Sequence, residues 1–561
     1  MDDPPDIRDQ ASATATEFAQ PRPRRPVRGS PLVNAENASG LAPPDAGPTS
    51  ASGASSGTST PIPPDAPPSV QATSSARKQI RAERKQHRIF PSIEYAARVS
   101  HFDPDSDYRD FRGFFVLFWI GLAIMVITTM LRNWKETGSL FNISQLDLFT
   151  ENIWELALSD LLMASSIMLS LPLHKLYANS TGMLRWSKGG IAVQSLFQAA
   201  WLSYWVSWPF VRTWTWTAQV FFTLHLLALF MKMHSYAFYN GHLSETKRRL
   251  SELDRPAGKS RAAARRYPNP HKRLSVIQAE NQNSKTESNG NGEALGRLRE
   301  DLARELTSPL GHVTYPQNLT LVNFVDFLFC PTLCYELEYP RTPRRRYDEL
   351  FYKTLAVFGC IFLLTVTSEE FIIPVLSEAS ARMHAIGLAG SSEKLMEQLL
   401  ILAETTSRLL FPFMLSFLLV FLVIFEYLLG AFAEITCFAD RHFYADWWNS
   451  CDWLEFSREW NIPVHHFFRR HVYSASRGAN LSRPVATLIT FFVSALAHEL
   501  VMGCITKKLR GYGFFAMMLQ MPLVMMQRTK WMRGKPLLNN ILFWCSMILG
   551  LAMMCALYVL V

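Results

Sequence analysis

The amino-acid sequence predicts an all-α polytopic membrane protein. Apolar residues make up 48% of the 561-residue chain, and because the N-terminal part is polar they are concentrated further along. They form repeated runs of about 20 residues, each long enough to cross about 30 Å of hydrocarbon as a helix. Lys and Arg lie in the segments between these runs. The net charge of +9 therefore fits membrane orientation better than binding to nucleic acid.

The N-terminal part, residues 1–105, is rich in Pro, Ala, Ser, Asp and Gly. Such a segment buries too little apolar surface to offset the entropy lost on ordering, so we expect a disordered cytoplasmic tail. The basic stretch at 76–90 fits two interpretations, a segment on an anionic membrane surface or a solvated run of charge. Residues 106–561 are expected to form one membrane domain.

This domain contains about nine runs that we interpret as transmembrane helices. A polar stretch at about 240–312 separates the fourth run from the fifth and is expected to be a mobile cytoplasmic loop. The runs are 113–131, 153–173, 189–210, 215–238, 350–376, 399–431, 484–505, 512–526 and 538–561.

The distribution of Lys and Arg predicts the orientation of the chain. The N-terminal tail, the 240–312 loop and the basic stretch around Lys530 fall on one side under simple alternation of the spans. The segment after the fifth span is acidic and falls on the other side. We therefore expect a cytoplasmic N-terminus and a C-terminus across the membrane. The basic stretch at 507–510 disagrees with this assignment, since alternation places it on the far side.

The seventh run carries a polar stripe that ends at a histidine. Thr487, Thr490, Ser494 and His498 lie three or four residues apart and share one face of a helix whose other faces are apolar. An ionisable side chain inside a span is costly, which indicates a functional site facing the protein interior. The alternative is a histidine that bonds a neighbouring helix for packing, and the span alone does not decide between the two. Glu499 points about 100° away, and we expect it to pair with a basic neighbour.

Three patterns that resemble metal sites do not predict one. The sequence HELVM at 498–502 lacks the second histidine of a zinc-binding HExxH motif. Cys330 and Cys334 have no second pair of ligands nearby. Three histidines between 465 and 471 have no carboxylate or thiolate that completes a convincing set. We therefore expect no bound metal.

A second candidate region lies between the sixth and seventh runs, at 443–473. It is dense in Trp, His and charged residues, and it is too polar to span a membrane. One interpretation is an amphipathic segment at the membrane interface. However, its ionisable and amide side chains exceed what anchoring requires, and this indicates a binding or catalytic region.

Four motifs around these regions resemble those of one family. They are FCPTLCYELEYPR at 329–341, FYADWWN at 443–449, WNIPVH at 460–465 and VSALAHEL at 493–500. In this order they are similar to the motifs of the membrane-bound O-acyltransferase (MBOAT) family, in the branch that holds sterol O-acyltransferases and the related diacylglycerol acyltransferase. The resemblance covers roughly residues 109–561, and it is greatest to the fungal sterol O-acyltransferases.

The resemblance implies about nine helices of MBOAT type around an intramembrane reaction chamber. It implies transfer of a long-chain fatty acyl group from acyl-CoA to the 3β-hydroxyl of a sterol, which makes steryl esters for storage. Acyl-CoA is then a co-substrate, and no cofactor or metal is implied. The implied partners are acyl-CoA, a membrane sterol, the bilayer and further copies of the chain, without nucleic acid. The implied location is the endoplasmic reticulum membrane.

The resemblance also implies a catalytic pair. His498 is the general base, and Asn461 either orients its imidazole or stabilises charge on the thioester carbonyl. Packing remains an alternative to substrate contact for Trp447 and Trp448. The implied substrate-binding residues are Ser494, Tyr444, Asp446, Trp447, Trp448, Asn449, Arg458, Trp460 and His465.

Two other functions stay open on the sequence. The nearer one is a diacylglycerol acceptor, which uses the same chemistry with a wider lateral pocket. The other is a transporter or channel, in which His498 and the polar stripe form a proton or solute path.

Overall fold

A computed structural model of the chain describes residues 91, 93–103, 106, 112–141, 144–254, 296, 298–309, 311–386 and 393–561. Over these residues the structure is helical and contains no β-strand, although three isolated β-bridges occur. The predicted all-α class is confirmed. Most of the predicted 1–105 tail and the middle of the predicted 240–312 loop lie outside the described residues, and the helix that precedes the loop continues to Leu253. Residues 93–103 of that tail are described and hydrogen-bond to the membrane domain, so the expected disorder is wrong for them.

Seventeen α-helices are labelled here in chain order. Short 3₁₀ or π turns join several of them, which makes the continuous helical stretches longer than the single helices. The helices are α1 Arg112–Thr137, α2 Ser144–Thr150, α3 Ile153–Ser166, α4 Ser170–Asn179, α5 Ile191–Val211, α6 Trp216–Leu253, α7 Leu321–Phe329, α8 Tyr347–Thr367, α9 Ile373–Ile386, α10 Glu393–Phe421, α11 Leu429–Thr436, α12 Trp453–Glu459, α13 Ile462–Phe467, α14 Ser474–Gly478, α15 Arg483–Thr506, α16 Tyr512–Gln527 and α17 Pro536–Leu560.

Seven helical stretches of the described chain are long and apolar enough to cross a membrane, which supports a multi-pass protein. The predicted count of nine is not confirmed, because two of the predicted runs fall outside this set. α5 has the length but carries two glutamines among its buried residues, Gln194 and Gln198. α16 has only 16 residues, which reach about 24 Å. The seven stretches are Gly113–Thr137, Ile153–Asn179, Trp216–Leu253, Tyr347–Ile386, Lys394–Thr436, Arg483–Thr506 and Pro536–Leu560.

One side of α15 packs against other parts of the protein. α15 contacts α6, α16 and the turn Phe468–Tyr473, while α10 packs against α17. The FYADWWN motif adds its aromatic side chains to a buried cluster between these helices. This cluster includes Tyr236, Phe324, Phe327, Tyr335, Phe421, Phe425, Tyr444 and Trp447.

The basic stretch after α15 contacts the connection between α5 and α6. Lys507, which ends α15 in a left-handed conformation, donates from Nζ to the carbonyl oxygen of Arg212 at 2.8 Å. Arg212 follows the last residue of α5. The 507–510 stretch and the α5–α6 connection therefore lie at the same end of the helices, and a helix C-terminus with its free carbonyls accounts for the cation there.

Candidate active site

The helix that carries His498 is fixed at both ends by local sequence. Proline occupies its first turn, where a missing N–H costs no hydrogen bond, and Lys507 ends it in a left-handed conformation. Three large apolar residues on one face, Leu488, Phe492 and Leu496, are 46%, 45% and 49% exposed in the isolated chain. They are the residues expected to contact lipid.

The polar stripe lies on the opposite side from these apolar residues. His498 is two positions beyond Leu496 and is therefore rotated by about 200° around the helix. Thr487 and Thr490 are partly buried, and their hydroxyls donate to the carbonyls of Arg483 and Ala486 at 3.0 and 2.8 Å. Thr487, Thr490 and Ser494 are thus partly buried, whereas His498 at the end of the stripe is exposed in the isolated chain, and the predicted orientation of the stripe toward the protein interior stays a prediction.

The imidazole of His498 has one ring nitrogen engaged. Nδ1 lies 2.8 Å from the carbonyl oxygen of Ser494, and because a carbonyl can only accept, Nδ1 carries a hydrogen. Nε2 has no hydrogen-bond partner among the described residues and, in the neutral ring, holds a lone pair. The His498 side chain keeps accessible surface in the isolated chain.

Glu499 has a structural role that differs from the expected one. Its carboxylate accepts the N–H groups of Arg510, Gly511 and Phe514 at 3.1, 2.7 and 3.2 Å, and Tyr558 Oη donates to it at 2.8 Å. The predicted pairing with a basic side chain is therefore wrong for the described part of the chain. The carboxylate instead caps the N-terminus of α16, where exposed N–H groups and the helix dipole favour an anion.

The FYADWWN motif is largely packed into the aromatic cluster. Trp447 and Tyr444 are each only 1% exposed. The Trp447 ring contacts Phe421 and Trp460 at centroid distances of 5.0 and 4.9 Å, and Trp460 stacks on Phe417 at 4.5 Å. These contacts support packing for the three predicted site residues Tyr444, Trp447 and Trp460.

The other motif residues lie nearer the surface of the chain. Trp448 and Asp446 are partly buried, and Asn449 is exposed. The Trp448 carbonyl oxygen accepts the indole N–H of Trp544 and the amide of Asn540, each at 3.1 Å. Helix α17 therefore fixes the backbone of the motif at Trp448 and leaves part of that indole ring accessible.

Asn461 is placed by a helix cap. Its Oδ1 accepts the backbone N–H of Val464 at 3.1 Å, which caps the N-terminus of α13. The cap commits Oδ1 and leaves the NH₂ group of the carboxamide as the part able to bind another molecule. Within the described chain no hydrogen bond joins Asn461 to His498. The turn Phe468–Tyr473 continues α13 and packs against α15, which bears His498.

Positive charge gathers beside Asn461. Arg458 and Arg469 are exposed, whereas His465 and His466 are partly buried. Burial, together with Arg469 and Arg458, lowers the pKa of His465 to about 4. Burial, together with His465 and Arg469, lowers the pKa of His466 to about 3. Both imidazoles are therefore neutral near neutral pH, and the two arginines supply the charge available to an anion.

Sequence patterns did not identify a buried ionic group that supports this region. Arg470 is fully enclosed, pairs with Glu336 at 3.1 Å and donates to the Tyr335 carbonyl oxygen at 2.9 Å. It fastens the 443–473 region to the FCPTLCYELEYPR motif. The YELEY and FRR patterns could have indicated this ion pair, since charged residues inside otherwise apolar stretches require partners.

A second group of side chains that sequence patterns missed joins α5, α6 and the same turn. His471 Nε2 lies 3.0 Å from Ser235 Oγ, and His234 Nδ1 donates to Gln198 Oε1 at 2.9 Å. The His234 and His471 rings are 5.0 Å apart. This polar contact joins α5 to α6 and fixes the turn that packs on α15.

Comparison with known proteins agrees with the motif assignment. The model of "MBOAT, membrane-bound O-acyltransferase family" matches residues 197–560. A family match over more than half of the chain, together with the helical membrane fold, defines a membrane-bound acyltransferase. The chain belongs to the membrane-bound O-acyltransferase family, as the four motifs predict.

The similarity to individual proteins differs in its extent along the chain. "Probable sterol O-acyltransferase 2" of Schizosaccharomyces pombe is 40% identical over 451 residues, which are 80% of this chain and 87% of that protein. "Sterol O-acyltransferase 2" of Candida albicans is 32% identical over 489 residues, 84% and 78% of the two chains. "Diacylglycerol O-acyltransferase 1" of Dictyostelium discoideum is 32% identical over 262 residues, only 47% and 40% of the two chains.

Proposed function

We propose that this protein is an acyl-CoA:sterol O-acyltransferase, which transfers a long-chain fatty acyl group from acyl-CoA to the 3β-hydroxyl of a sterol. The observation that carries the proposal is the 40% identity to a sterol O-acyltransferase relative over four fifths of the chain. Similarity to a diacylglycerol acyltransferase relative extends over less than half. The acyl-transfer chemistry is common to both, so the acceptor is the part of the proposal that depends on this difference.

The arrangement of His498 supports a general-base mechanism. The free Nε2 takes the hydroxyl proton as the sterol oxygen attacks the thioester carbonyl, forming a tetrahedral intermediate. Collapse of this intermediate breaks the C–S bond, and the imidazolium returns the proton to the departing CoA thiolate. The products are steryl ester and free CoA, with no net proton change. The Ser494 carbonyl stabilises the imidazolium through the Nδ1 hydrogen throughout.

The capping geometry supports an electrostatic role for Asn461. Because Oδ1 is held by the Val464 N–H, the carboxamide presents its NH₂ group as a donor. A donor is suited to the oxyanion that develops on the thioester carbonyl. Orienting a neutral imidazole through its lone pair would need the same group, but no such bond to His498 occurs among the described residues. We therefore assign Asn461 to the oxyanion.

The remaining substrate assignments follow from accessibility. Arg458 is exposed and positively charged, and it suits the phosphates of CoA. Trp448, Asp446, Asn449 and His465 are accessible enough to border the donor, and Ser494 lies one turn from His498 on the acyl side. We propose that Tyr444, Trp447 and Trp460 do not contact substrate and instead support the site by packing in the aromatic cluster.

The location follows from the same assignment. A multi-pass protein that joins a soluble donor to a membrane-dissolved acceptor acts at a membrane surface, which we propose is that of the endoplasmic reticulum. We propose that the N-terminus faces the cytoplasm, where acyl-CoA is supplied, and that the protein is a homo-oligomer. Protease protection of an N-terminal tag in sealed microsomes tests the orientation, since a tag cleaved only after detergent addition contradicts it.

The acceptor is tested with the purified full-length protein in detergent. Labelled oleoyl-CoA is supplied with a 3β-hydroxysterol or with diacylglycerol at matched mole fraction, and the products are separated by lipid class. We expect labelled steryl ester. A 3α-hydroxysterol epimer serves as the matched control and should form far less ester. Triacylglycerol without steryl ester would keep the acyltransferase and overturn the acceptor.

A further inference from the structure

The described residues 93–103, here called the N-terminal strap, precede the first span and cross the FYADWWN region. The strap begins on the FCPTLCYELEYPR motif, where the Ile93 N–H donates to Glu336 Oε1 at 3.1 Å. Tyr95 Oη lies 2.5 Å from Thr332 Oγ1. The strap therefore contacts the same Glu336 that pairs with the buried Arg470.

A two-point ion pair holds the middle of the strap. Arg98 donates from Nε and Nη2 to the two carboxylate oxygens of Asp440 at 2.8 and 2.5 Å. Asp440 is 4% exposed and also accepts the Ala96 N–H at 3.1 Å. Backbone hydrogen bonds surround the pair, with Arg98 N–H donating to Ala439 and Arg441 N–H donating to Arg98. Asp440 lies three residues before the motif, so the pair fixes the direction in which the motif begins.

A buried carboxylate holds the end of the strap. Ser100 Oγ donates to Glu426, and Tyr444 Oη donates to the same carboxylate oxygen at 2.9 Å. Lys353 neutralises Glu426 at 3.1 Å. One carboxylate therefore joins the strap, a tyrosine of the motif and helix α8.

Aromatic rings extend this contact onto the exposed side of the motif. The His101 ring stacks on Tyr444 at 5.4 Å and meets the edge of Trp448 at 6.3 Å. Phe102 lies 6.3 Å from Trp448 as well. Trp448 is the motif tryptophan that keeps accessible surface, so the strap forms one wall beside it.

We propose that the N-terminal strap is a positioning segment for the FYADWWN motif and that the Arg98–Asp440 pair sets the affinity for acyl-CoA. This inference rests on the proposed function, in which the motif borders the acyl-CoA. Arg98 acts through Asp440 and does not need to contact the donor. Loss of the pair lets the motif backbone relax, and the donor then has to order it on binding.

The test uses the full-length protein with Arg98→Ala, Asp440→Asn and the double variant. Asn keeps an oxygen for the Ala96 N–H but loses the charge. Val99→Ala is the matched control, because Val99 is a strap residue that is 44% exposed. The measurements are the Kd of a non-hydrolysable oleoyl-CoA thioether and the KM values for oleoyl-CoA and sterol. We expect Kd and the donor KM to rise by about tenfold in each single variant. The sterol KM should stay near its parent value.

The double variant separates positioning from independent effects. We expect it to bind the thioether no more weakly than the weaker single variant, because both changes remove one interaction. A parental Kd in Arg98→Ala, an equal rise in the sterol KM, or additive losses would overturn the proposal. If Arg98→Ala does not accumulate as folded protein, Arg98→Lys should show an intermediate Kd, and a parental Kd there is equally contrary. A parent protein that forms no ester at all contradicts the proposed function instead.

Discussion

The His498 Nδ1 hydrogen points at the carbonyl oxygen of Ser494, one turn earlier on the same helix, at 2.8 Å. This contact fixes the tautomer without help from any other helix, so Nε2 faces away from the helix backbone as an acceptor. His384 makes a similar contact to the Ser380 carbonyl at 2.7 Å, but near the end of α9. This backbone contact therefore does not by itself identify a base, and we propose His498 as the base because it lies in the VSALAHEL motif at the end of the polar stripe.

Asn461 is expected to separate folding from catalysis. Asn461→Asp keeps an oxygen for the Val464 N–H but loses the NH₂ donor, so the cap should survive while the rate falls by about 10²–10³-fold. Asn461→Ala loses both and should also be less stable by about 1 kcal/mol. Steryl ester formation and thermal unfolding in detergent measure the two effects. An Asp variant with parental activity would show that the amide donor is not needed.

Glu499 is expected to matter for stability more than for chemistry. Glu499→Ala removes the anion that three N–H groups share at the start of α16, and it should lower Tm by several degrees. Tyr558→Phe removes a single donor to the same carboxylate and should lower Tm less. Scanning fluorimetry of both variants at equal detergent checks the order. The reverse order would contradict the capping role.

Protein stability is expected to fall at mildly acidic pH through His465 and His466. Burial and nearby cations lower their pKa values to about 4 and about 3, whereas unfolded histidines titrate near 6.5. As the pH falls, the histidines of the unfolded chain bind protons before those of the folded chain do. The free energy of unfolding is therefore unaffected by them above about pH 6.5 and decreases toward about pH 4. Each group should cost about 1–2 kcal/mol at about pH 5.

The control for this prediction is a histidine in an open position. Tm is compared at about pH 7.5 and about pH 5 for the parent, His466→Gln and His384→Gln, since His384 is exposed. The His466 variant should lose less Tm on acidification than the parent, and the His384 variant should match the parent. Equal losses in all three would show that these buried imidazoles do not set the acid sensitivity.

Parts of this architecture follow from local sequence. The polar stripe ending at His498 was visible because Thr490, Ser494 and His498 repeat with the period of a helix in an apolar background. Membrane spans are harder to predict from sequence where polar residues interrupt an apolar run. α5 contains the polar residues Gln194 and Gln198. Only the fold explains Gln198, because its side chain accepts a hydrogen bond from His234 on α6.

Long-range partners could not be predicted from local patterns. Glu336 and Arg470 are 134 residues apart in the sequence, and neither motif contains a pattern that predicts their ion pair. Glu499 was misassigned because the chain turns back after α15, which brings N–H groups rather than a cation to the carboxylate. Trp447 and Trp448 remained ambiguous, because interface belts, cores and binding sites all use aromatic residues. The structure places Trp447 in a core, where it contacts Trp460, and leaves Trp448 partly accessible.

The most direct test of the central claim is the rate of steryl ester formation by full-length His498→Ala. Single-turnover transfer from labelled oleoyl-CoA is compared with the parent and with His384→Ala, which removes a histidine with a similar backbone contact. We predict that ester formation in His498→Ala falls by at least about 10²–10⁴-fold. Thioether binding and Tm should stay near the parent values, and His384→Ala should be fully active. Ester formation that survives in a folded His498→Ala protein would contradict the assignment of His498 as the base.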